Sequence, residues 1–237
     1  MAHEYISYQH GNDELEGYFA FPEDATSARP LVLIAHAWRG RDEFVCQKAD
    51  ELSQLGFNAF AMDFYGKGIL GSSVEENSRL MQPFMDDRNF LRQRLLVAFE
   101  TAKNLQQVDK NKIGAIGFCF GGLCVLDLAR SGIKINGVVS FHGLLGQPKD
   151  LSNEKIQAKI LVLHGYNDPM VPMPEVESFA HEMELANADW QIHMYGKTQH
   201  AFTNPEANDT NLGTIYNSIA AKRSWNTMKA FFEEIFE

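Results

Sequence analysis

Residues 117–122 read Gly117-Phe118-Cys119-Phe120-Gly121-Gly122 and lie between an Ile-rich apolar run and a run with helical character. The first run, residues 112–116, is typical of a buried strand. Residues 123–130 predict a helix that Ser131-Gly132 ends. The turn between them has the G-x-C-x-G form, which is the cysteine version of the nucleophile-elbow motif G-x-S-x-G. Its glycines allow a strand and a helix to approach each other closely.

A cysteine in such a turn stands at the N-terminus of the helix that follows. The positive end of that helix favours a thiolate and a developing oxyanion, for which the Phe120 amide is the expected donor. The alternative is a structural cysteine in a glycine-rich phosphate loop. The chain has neither a Gly-Lys-Ser/Thr ending nor a G-x-G-x-x-G spacing at this point, so the sequence favours the elbow.

Strand and helix patterns alternate along the whole chain, which predicts βαβ units and an α/β fold with a mostly parallel sheet. The predicted strands are 4–9, 14–21, 31–35, 58–62, 112–116, 137–141, 159–163 and 191–195. The first two form an antiparallel hairpin. The predicted helices are 42–55, 86–107, 123–130, 174–187 and a last one from about 216.

The chain shows no linker or repeat, so residues 1–237 are predicted to form a single domain. Residues 66–84 are rich in Gly, Ser, Glu and Asn and are weakly patterned. They predict a mobile lid or excursion over the sheet edge.

Composition narrows the possible partners and the compartment. The formal charge of −10 argues against nucleic acid or an anionic membrane as a partner. The three cysteines have no metal-like spacing, so no metal is expected. No signal peptide or membrane span is visible, which makes a cytoplasmic protein the expectation. The sequence leaves monomer and dimer open.

Two polar loops downstream offer the partners that a cysteine nucleophile needs. Asp168 follows the predicted strand 159–163, and His200 follows the predicted strand 191–195. Ligands of parallel sheets bind outside the carboxyl ends of the strands, so these side chains are expected near Cys119. The order nucleophile, acid, histidine is that of the α/β-hydrolase fold. Asp168 could be a plain turn residue and the chain has eight histidines, but the joint order favours a triad.

The loop after the predicted strand 31–35 carries further candidates. The amide of Trp38 is the expected second oxyanion donor, with the Ala37 amide as the alternative, because this loop supplies the donor in α/β hydrolases. His36 is expected to brace the loop. His142 and His164 each end a predicted strand before a glycine, and we expect them to be packing or turn residues.

Five stretches together resemble the dienelactone hydrolase family, the carboxymethylenebutenolidase-like cysteine branch of the α/β hydrolases. They are residues 34–40, 61–68, 117–122, His164-Gly165 with Asp168, and 199–202. The resemblance covers nearly the whole chain, and the elbow with its cysteine is the most specific part. It implies a three-layer α/β/α fold, a Cys119–His200–Asp168 triad, no metal or cofactor, and hydrolysis through an acyl-cysteine.

The sequence departs from the family pattern at two positions. Ala37 stands where dienelactone hydrolases proper carry a glutamate that pairs with the resting cysteine. Asn204 stands where they carry an arginine that helps to hold the substrate carboxylate. Arg79 is the candidate replacement cation, and His36 and Phe202 are the other candidate substrate-binding residues. The reaction class therefore carries over better than the substrate.

The predicted function is hydrolysis of a small-molecule ester or lactone. Two alternatives stay open at this point. One is a thioesterase or acyltransferase with the same triad. The other is a small-molecule binding protein that keeps the fold without turnover, which a shared fold permits.

Overall fold

The computed structural model describes residues 1–23, 27–149 and 155–237. The chain divides into two compact units, Met1–Ala115 and Ile116–Glu237. The assignment of residues 1–237 to a single domain stays a prediction.

The first unit contains an antiparallel hairpin, further strands and three helices. Its strands are β1 (Ala2–His10), β2 (Asp13–Phe21), β3 (Arg29–Ala35) and β4 (Asn58–Ala61), and its helices are α1 (Glu43–Gln54), α2 (Val74–Asp86) and α3 (Arg88–Lys103). Strand β1 pairs with β2 and β2 with β4, both antiparallel, while β3 and β4 are parallel. The side chains of β3 from Leu31 onward are buried, as expected for a strand covered on both faces.

Strand β5 (Val108–Phe118) begins in the first unit and ends in the second. The remaining elements are α4 (Phe120–Arg130), β6 (Gly137–Phe141), β7 (Lys159–Gly165), α5 (Met173–Leu185), β8 (Trp190–Tyr195), β9 (Asn208–Asp209), β10 (Thr214–Ile215) and α6 (Ser218–Phe236). The eight-stranded sheet has the order β1-β2-β4-β3-β5-β6-β7-β8, and both β6–β7 and β7–β8 are parallel. A mostly parallel sheet with an antiparallel N-terminal hairpin confirms the predicted fold class.

The stretch predicted as a weakly patterned excursion, residues 66–84, contains most of helix α2. Ser73 is its N-cap and accepts a hydrogen bond from the Glu76 amide, so Ser73 and Glu76 have capping-box spacing. That local signal outweighs the polar composition on which the prediction of irregular structure rested. Whether the segment moves as a lid stays a prediction.

The predicted long helix 86–107 begins and ends at different residues. Asp87 is the N-cap of α3 and accepts a hydrogen bond from the Phe90 amide at 2.8 Å, and α3 ends at Lys103. Because Asp87 also ends α2, two helices meet where the sequence predicted one helix start.

Two buried arginines fasten helices inside their units. In the first unit Arg94 of α3 pairs with Asp13 and donates to the Phe64 carbonyl at 3.0 Å. In the second unit Arg130 of α4 binds both carboxylate oxygens of Glu182 on α5, at 2.8 and 2.7 Å. A bidentate pair of this kind resists rotation and holds the end of α4 in place.

Candidate active site

The chain turns sharply between β5 and α4, and Cys119 occupies the turn with φ 55° and ψ −117°. A positive φ is strained for a residue with a side chain, and such strain persists where the surrounding structure enforces it. Part of that enforcement is the hydrogen bond from the Cys119 amide to the Phe141 carbonyl on β6, 3.1 Å long. A Cβ on Gly117 would collide with the Gly121 backbone, so only glycine fits there.

Asp168 lies in the loop after β7 and is 3% exposed. Its Oδ1 accepts hydrogen bonds from the backbone amides of Met170, at 2.9 Å, and Val171, at 3.3 Å. These bonds fix the carboxylate in its own turn. Its Oδ2 lies 2.7 Å from Nδ1 of His200.

His200 lies in the loop after β8 and is 1% exposed. The segment around β10 holds the backbone of His200. The His200 amide donates to the Gly213 carbonyl, and the His200 carbonyl accepts from the Ile215 amide, both at 3.0 Å. The Asp168 carboxylate only accepts hydrogen bonds, so the proton in this pair is on Nδ1 of His200. Nε2 is therefore the atom that can accept or give a proton.

The environment of His200 favours its charged form. Burial acts to lower its pKa, but the negative charges of Cys119 and Asp168 outweigh burial and raise the pKa to about 10. Nε2 has no partner of full hydrogen-bond geometry among the described residues, although Cys119 is close enough to exert this effect. The arrangement can hold a thiolate beside an imidazolium. The structure thus brings together Cys119, Asp168 and His200 within the second unit.

Two further histidines lie close to His200, although the sequence indicated only packing or turn roles for them. The His142 ring packs edge-on against the His200 ring with centroids 5.2 Å apart. His164, at the end of β7, is 1% exposed and near enough to Asp168 and His200 to interact with their charges. Position after a strand of the parallel sheet is the signal that could have found both, since Asp168 and His200 share it.

Two other predicted residues lie in this unit: Phe120 is the first residue of α4, and Phe202 is completely buried. The Phe202 ring packs against His142 and Tyr195, with centroid distances of 5.1 and 5.6 Å. A direct substrate contact by Phe202 would require the site to open, and it stays a prediction.

In the first unit, His36 is completely buried in the loop after β3. Its Nδ1 donates to the Ala37 carbonyl at 2.7 Å, and its Nε2 accepts from the Phe64 amide at 3.3 Å. Burial lowers its pKa to about 4, so the ring is neutral at pH 7. Both ring nitrogens hold the loop, which matches the predicted bracing role, and a substrate contact by His36 stays a prediction.

Trp38 and Arg79 also lie in the first unit. The roles that the sequence analysis assigns to them stay predictions. Trp38 is half-buried, and its carbonyl accepts a hydrogen bond from the Tyr65 hydroxyl at 2.9 Å. Arg79 is exposed on α2, where its charge acts on Glu76.

Asn204, which replaces the family arginine, closes a turn. Its side-chain oxygen accepts from the Glu206 amide at 3.0 Å, and its own amide donates to the Ala201 carbonyl at 3.0 Å. This position offers a substrate no positive charge.

Among the described residues, no helix combines the length and the apolar character needed to cross a membrane.

Several known proteins are similar to this chain over most of its length. A protein of Aquifex aeolicus with the provisional name carboxymethylenebutenolidase is 27% identical over 96% of this chain and 96% of its own. An uncharacterized protein of Caenorhabditis elegans is 41% identical over 63% of this chain and 98% of its own. A solved structure titled as a dienelactone hydrolase-like promiscuous phosphotriesterase from metagenomic libraries superposes with TM-score 0.93. It is 32% identical and covers 100% of this chain and 99% of its own.

The family model described as the dienelactone hydrolase family matches residues 15–236, nearly the whole chain. The chain therefore belongs to the dienelactone hydrolase family and is a carboxylic ester hydrolase.

Proposed function

We propose that this hydrolase cleaves an ester or lactone through a Cys119–His200–Asp168 triad and an acyl-cysteine intermediate. The observation that supports the proposal most is the buried 2.7 Å hydrogen bond between His200 and Asp168, with Cys119 near enough to raise the pKa of His200. A nucleophile, a base and a carboxylate that orients the base are the parts that such catalysis needs.

In the acylation half-reaction the Cys119 thiolate attacks the carbonyl carbon of the substrate. The carbonyl oxygen becomes an oxyanion, and the Phe120 amide at the start of α4 is the donor that we assign to it. The Trp38 amide is the second donor expected from the motif. Donors of this kind stabilise an oxyanion by about 3–4 kcal/mol each. The C–O bond then breaks, and His200 gives its Nε2 proton to the leaving oxygen.

Deacylation needs the opposite behaviour from His200, which must now remove a proton from water. The acyl-cysteine carries no charge on sulfur, so the contribution of Cys119 that raises the pKa of His200 disappears. The neutral imidazole left by acylation can therefore act as a general base. The hydroxide equivalent attacks the thioester carbon, the C–S bond breaks, and the acid leaves as the Cys119 thiolate forms again. His200 keeps the proton taken from water and restores the resting pair, or gives that proton to the sulfur.

The substrate class follows from one of the two departures from the family pattern. With Asn204 in place of the arginine, the chain lacks the positive group that helps to hold the substrate carboxylate in dienelactone hydrolases proper. We infer that neutral esters and lactones are better substrates than anionic ones. Arg79 is the remaining candidate for holding a substrate carboxylate, and Arg79→Ala tests that role on an anionic lactone.

A second substrate class is favoured by one comparison. The solved structure titled as a promiscuous phosphotriesterase shares 32% identity over the whole chain. We propose that neutral phosphotriesters enter the same site, because the tetrahedral phosphorus resembles the tetrahedral intermediate of ester cleavage. Release of p-nitrophenol from paraoxon, absent in Cys119→Ala, would support this proposal. No release by the wild type would contradict it.

The test of the triad uses Cys119→Ala and p-nitrophenyl acetate. We expect kcat/KM to fall at least about 10³-fold, as in enzymes that lose a catalytic nucleophile. Cys46→Ala is the matched control, since it removes a half-buried thiol from the other unit. Unchanged turnover in Cys119→Ala would contradict the proposed mechanism.

The alternatives give different products. A thioesterase or acyltransferase would prefer acyl thioesters or transfer the acyl group to added alcohols. A binding protein would show reversible ligand association and no acyl adduct of Cys119 by mass spectrometry. A cytoplasmic location and the choice between monomer and dimer stay predictions.

A further inference from the structure

His142 lies at the end of β6 in a backbone conformation that its side chain disfavours, with φ 39°. The residue is 2% exposed. Its ring is enclosed by aromatic neighbours, edge-on to His200 at 5.2 Å and to Phe202 at 5.1 Å. Strain of this kind tends to cluster at functional sites, where it holds a group in a required place.

The same ring is tied to the loop that carries His200. Nε2 of His142 lies 2.7 Å from the Thr203 hydroxyl, a buried hydrogen bond between residues 61 positions apart in the chain. Thr203 follows His200 closely, and Ala201 between them has φ 55°. The bond therefore ties the strained turn after β8 to the end of β6, two strands away in the sheet.

We propose that His142 is a positioning residue for His200: its ring edge and its bond to Thr203 hold the His200 imidazole in the orientation that proton transfer requires. The inference rests on the proposed function, because it assigns a task to His142 only if His200 is the base. In this proposal His142 acts through His200 and takes no part in the reaction itself.

The charge state of His142 suits this task. Burial lowers its pKa well below the usual value, and the positive charge of His200 lowers it further. The ring is neutral while His200 is charged, so it supports the imidazolium without repelling it. The ionisable groups that act on His200 or His142 here are Cys119, Asp168 and His164. Burial also lowers the pKa of His164.

The experiment uses His142→Asn, because Asn adopts a positive φ readily and leaves the backbone unstrained. Loss of the ring lets the His200 imidazole rotate away. We expect kcat on p-nitrophenyl acetate to fall about 10-fold to 10²-fold, as small misplacements of catalytic groups do, while KM changes less than about 2-fold. The rate of alkylation of Cys119 by iodoacetamide at pH 7 should fall about 10-fold, because a misplaced His200 stabilises the thiolate less.

Thr203→Val tests the anchor alone, since valine keeps the shape and loses the hydroxyl. We expect kcat to fall about 3-fold to 10-fold, as for the loss of one hydrogen bond, and Thr203→Ser to restore it. The control is Val139→Ala, which leaves a cavity on β6, the strand that His142 follows. Val139 lies far from His200 in the chain. This variant should lower the unfolding temperature and leave the alkylation rate of Cys119 at pH 7 unchanged.

Wild-type kcat and a wild-type alkylation rate in both His142→Asn and Thr203→Val would overturn the inference. An equal fall of the alkylation rate in Val139→Ala would also overturn it, because the effect would then be a general loss of stability. If His142→Asn does not fold, Thr203→Val and Thr203→Ser decide. His200→Ala separates the two levels: full activity in that variant refutes the proposed function, whereas an inactive His200→Ala beside fully active His142→Asn refutes only this inference.

Discussion

Replacing Asp168 by asparagine removes a negative charge from His200 while keeping the size of the side chain. In the structure Oδ2 of Asp168 accepts from Nδ1 of His200 at 2.7 Å, and both residues are buried. Oδ1 is occupied by two backbone amides of its own turn. The side-chain amide nitrogen in Asp168→Asn would therefore face Nδ1, where a donor is the wrong partner.

The magnitude follows from the hydrogen bond that is lost. A bond to a charged acceptor stabilises by about 1.5–3 kcal/mol, and the asparagine amide nitrogen cannot accept this bond, so at least the lower value is lost. That loss corresponds to about one pKa unit, so the pKa of His200 should fall by about that much. Proton transfer from Cys119 to His200 becomes about 10-fold less favourable. The wrong tautomer adds to this loss, up to about 10⁴-fold in kcat.

Two assays follow these effects separately. Alkylation of Cys119 by iodoacetamide at pH 6 should slow about 10-fold in Asp168→Asn, because it measures the thiolate. Turnover of p-nitrophenyl acetate should fall further, because it also needs the correct tautomer. Asp209→Asn is the matched control, since Asp209 caps a turn in the same unit through the Asn211 and Leu212 amides. An alkylation rate and a turnover rate in Asp168→Asn that both equal those of the wild type would refute this account of Asp168.

Three further predictions concern stability and its pH dependence. Gly117→Ala should cost at least about 3 kcal/mol of unfolding free energy, measured in urea, because its Cβ meets backbone that cannot move away. Glu182→Gln should cost about 3 kcal/mol by the same measurement, because it leaves Arg130 buried with less opposing charge. His36 has a folded-state pKa of about 4, below the unfolded value, so it withholds a proton in the folded state and stability is lost as pH falls below about 6.5. His36→Gln should remove about 2 kcal/mol of the wild-type loss of stability between pH 7 and pH 5.

Each of these predictions has its own control. Gly196→Ala should be nearly neutral, since a Cβ there meets nothing within 4 Å, and equal losses at both glycines would contradict the steric argument. Glu234→Gln breaks an exposed pair with Lys159 and should cost less than about 1 kcal/mol. A Glu182→Gln variant as stable as Glu234→Gln would show that the buried pair contributes little. Parallel stability curves from pH 7 to pH 5 for wild type and His36→Gln would show that His36 is not the group that titrates.

The outline of the fold could be predicted because its signals are local. Apolar runs with short polar loops marked each strand of the sheet, and the elbow glycines marked the turn at Cys119. The helix α2 was missed, since its polar composition concealed the cap at Ser73. The break at Asp87 was missed because one aspartate both ends α2 and begins α3.

The neighbours of the site depended on contacts that no local pattern contains. His142 and Thr203 lie 61 positions apart and meet only because β6 and the loop after β8 converge at the end of the sheet. The same holds for the burial of Phe202, which the sequence analysis names as a candidate substrate-binding residue. Side-chain direction and burial at such positions are tertiary properties.

From its sequence alone this chain discloses the order of its strands and helices, the elbow, and three chemically matched residues at strand ends. Those properties depend on the types and spacing of residues, which determine local conformation and the edge to which each loop belongs. The tertiary structure alone decides that His200 favours its charged form and that His142 stays neutral beside it. Desolvation and Coulomb interaction depend on distances in space. The residues that these hydrogen bonds join are 32 positions apart in the chain for His200 and Asp168, and 61 for His142 and Thr203.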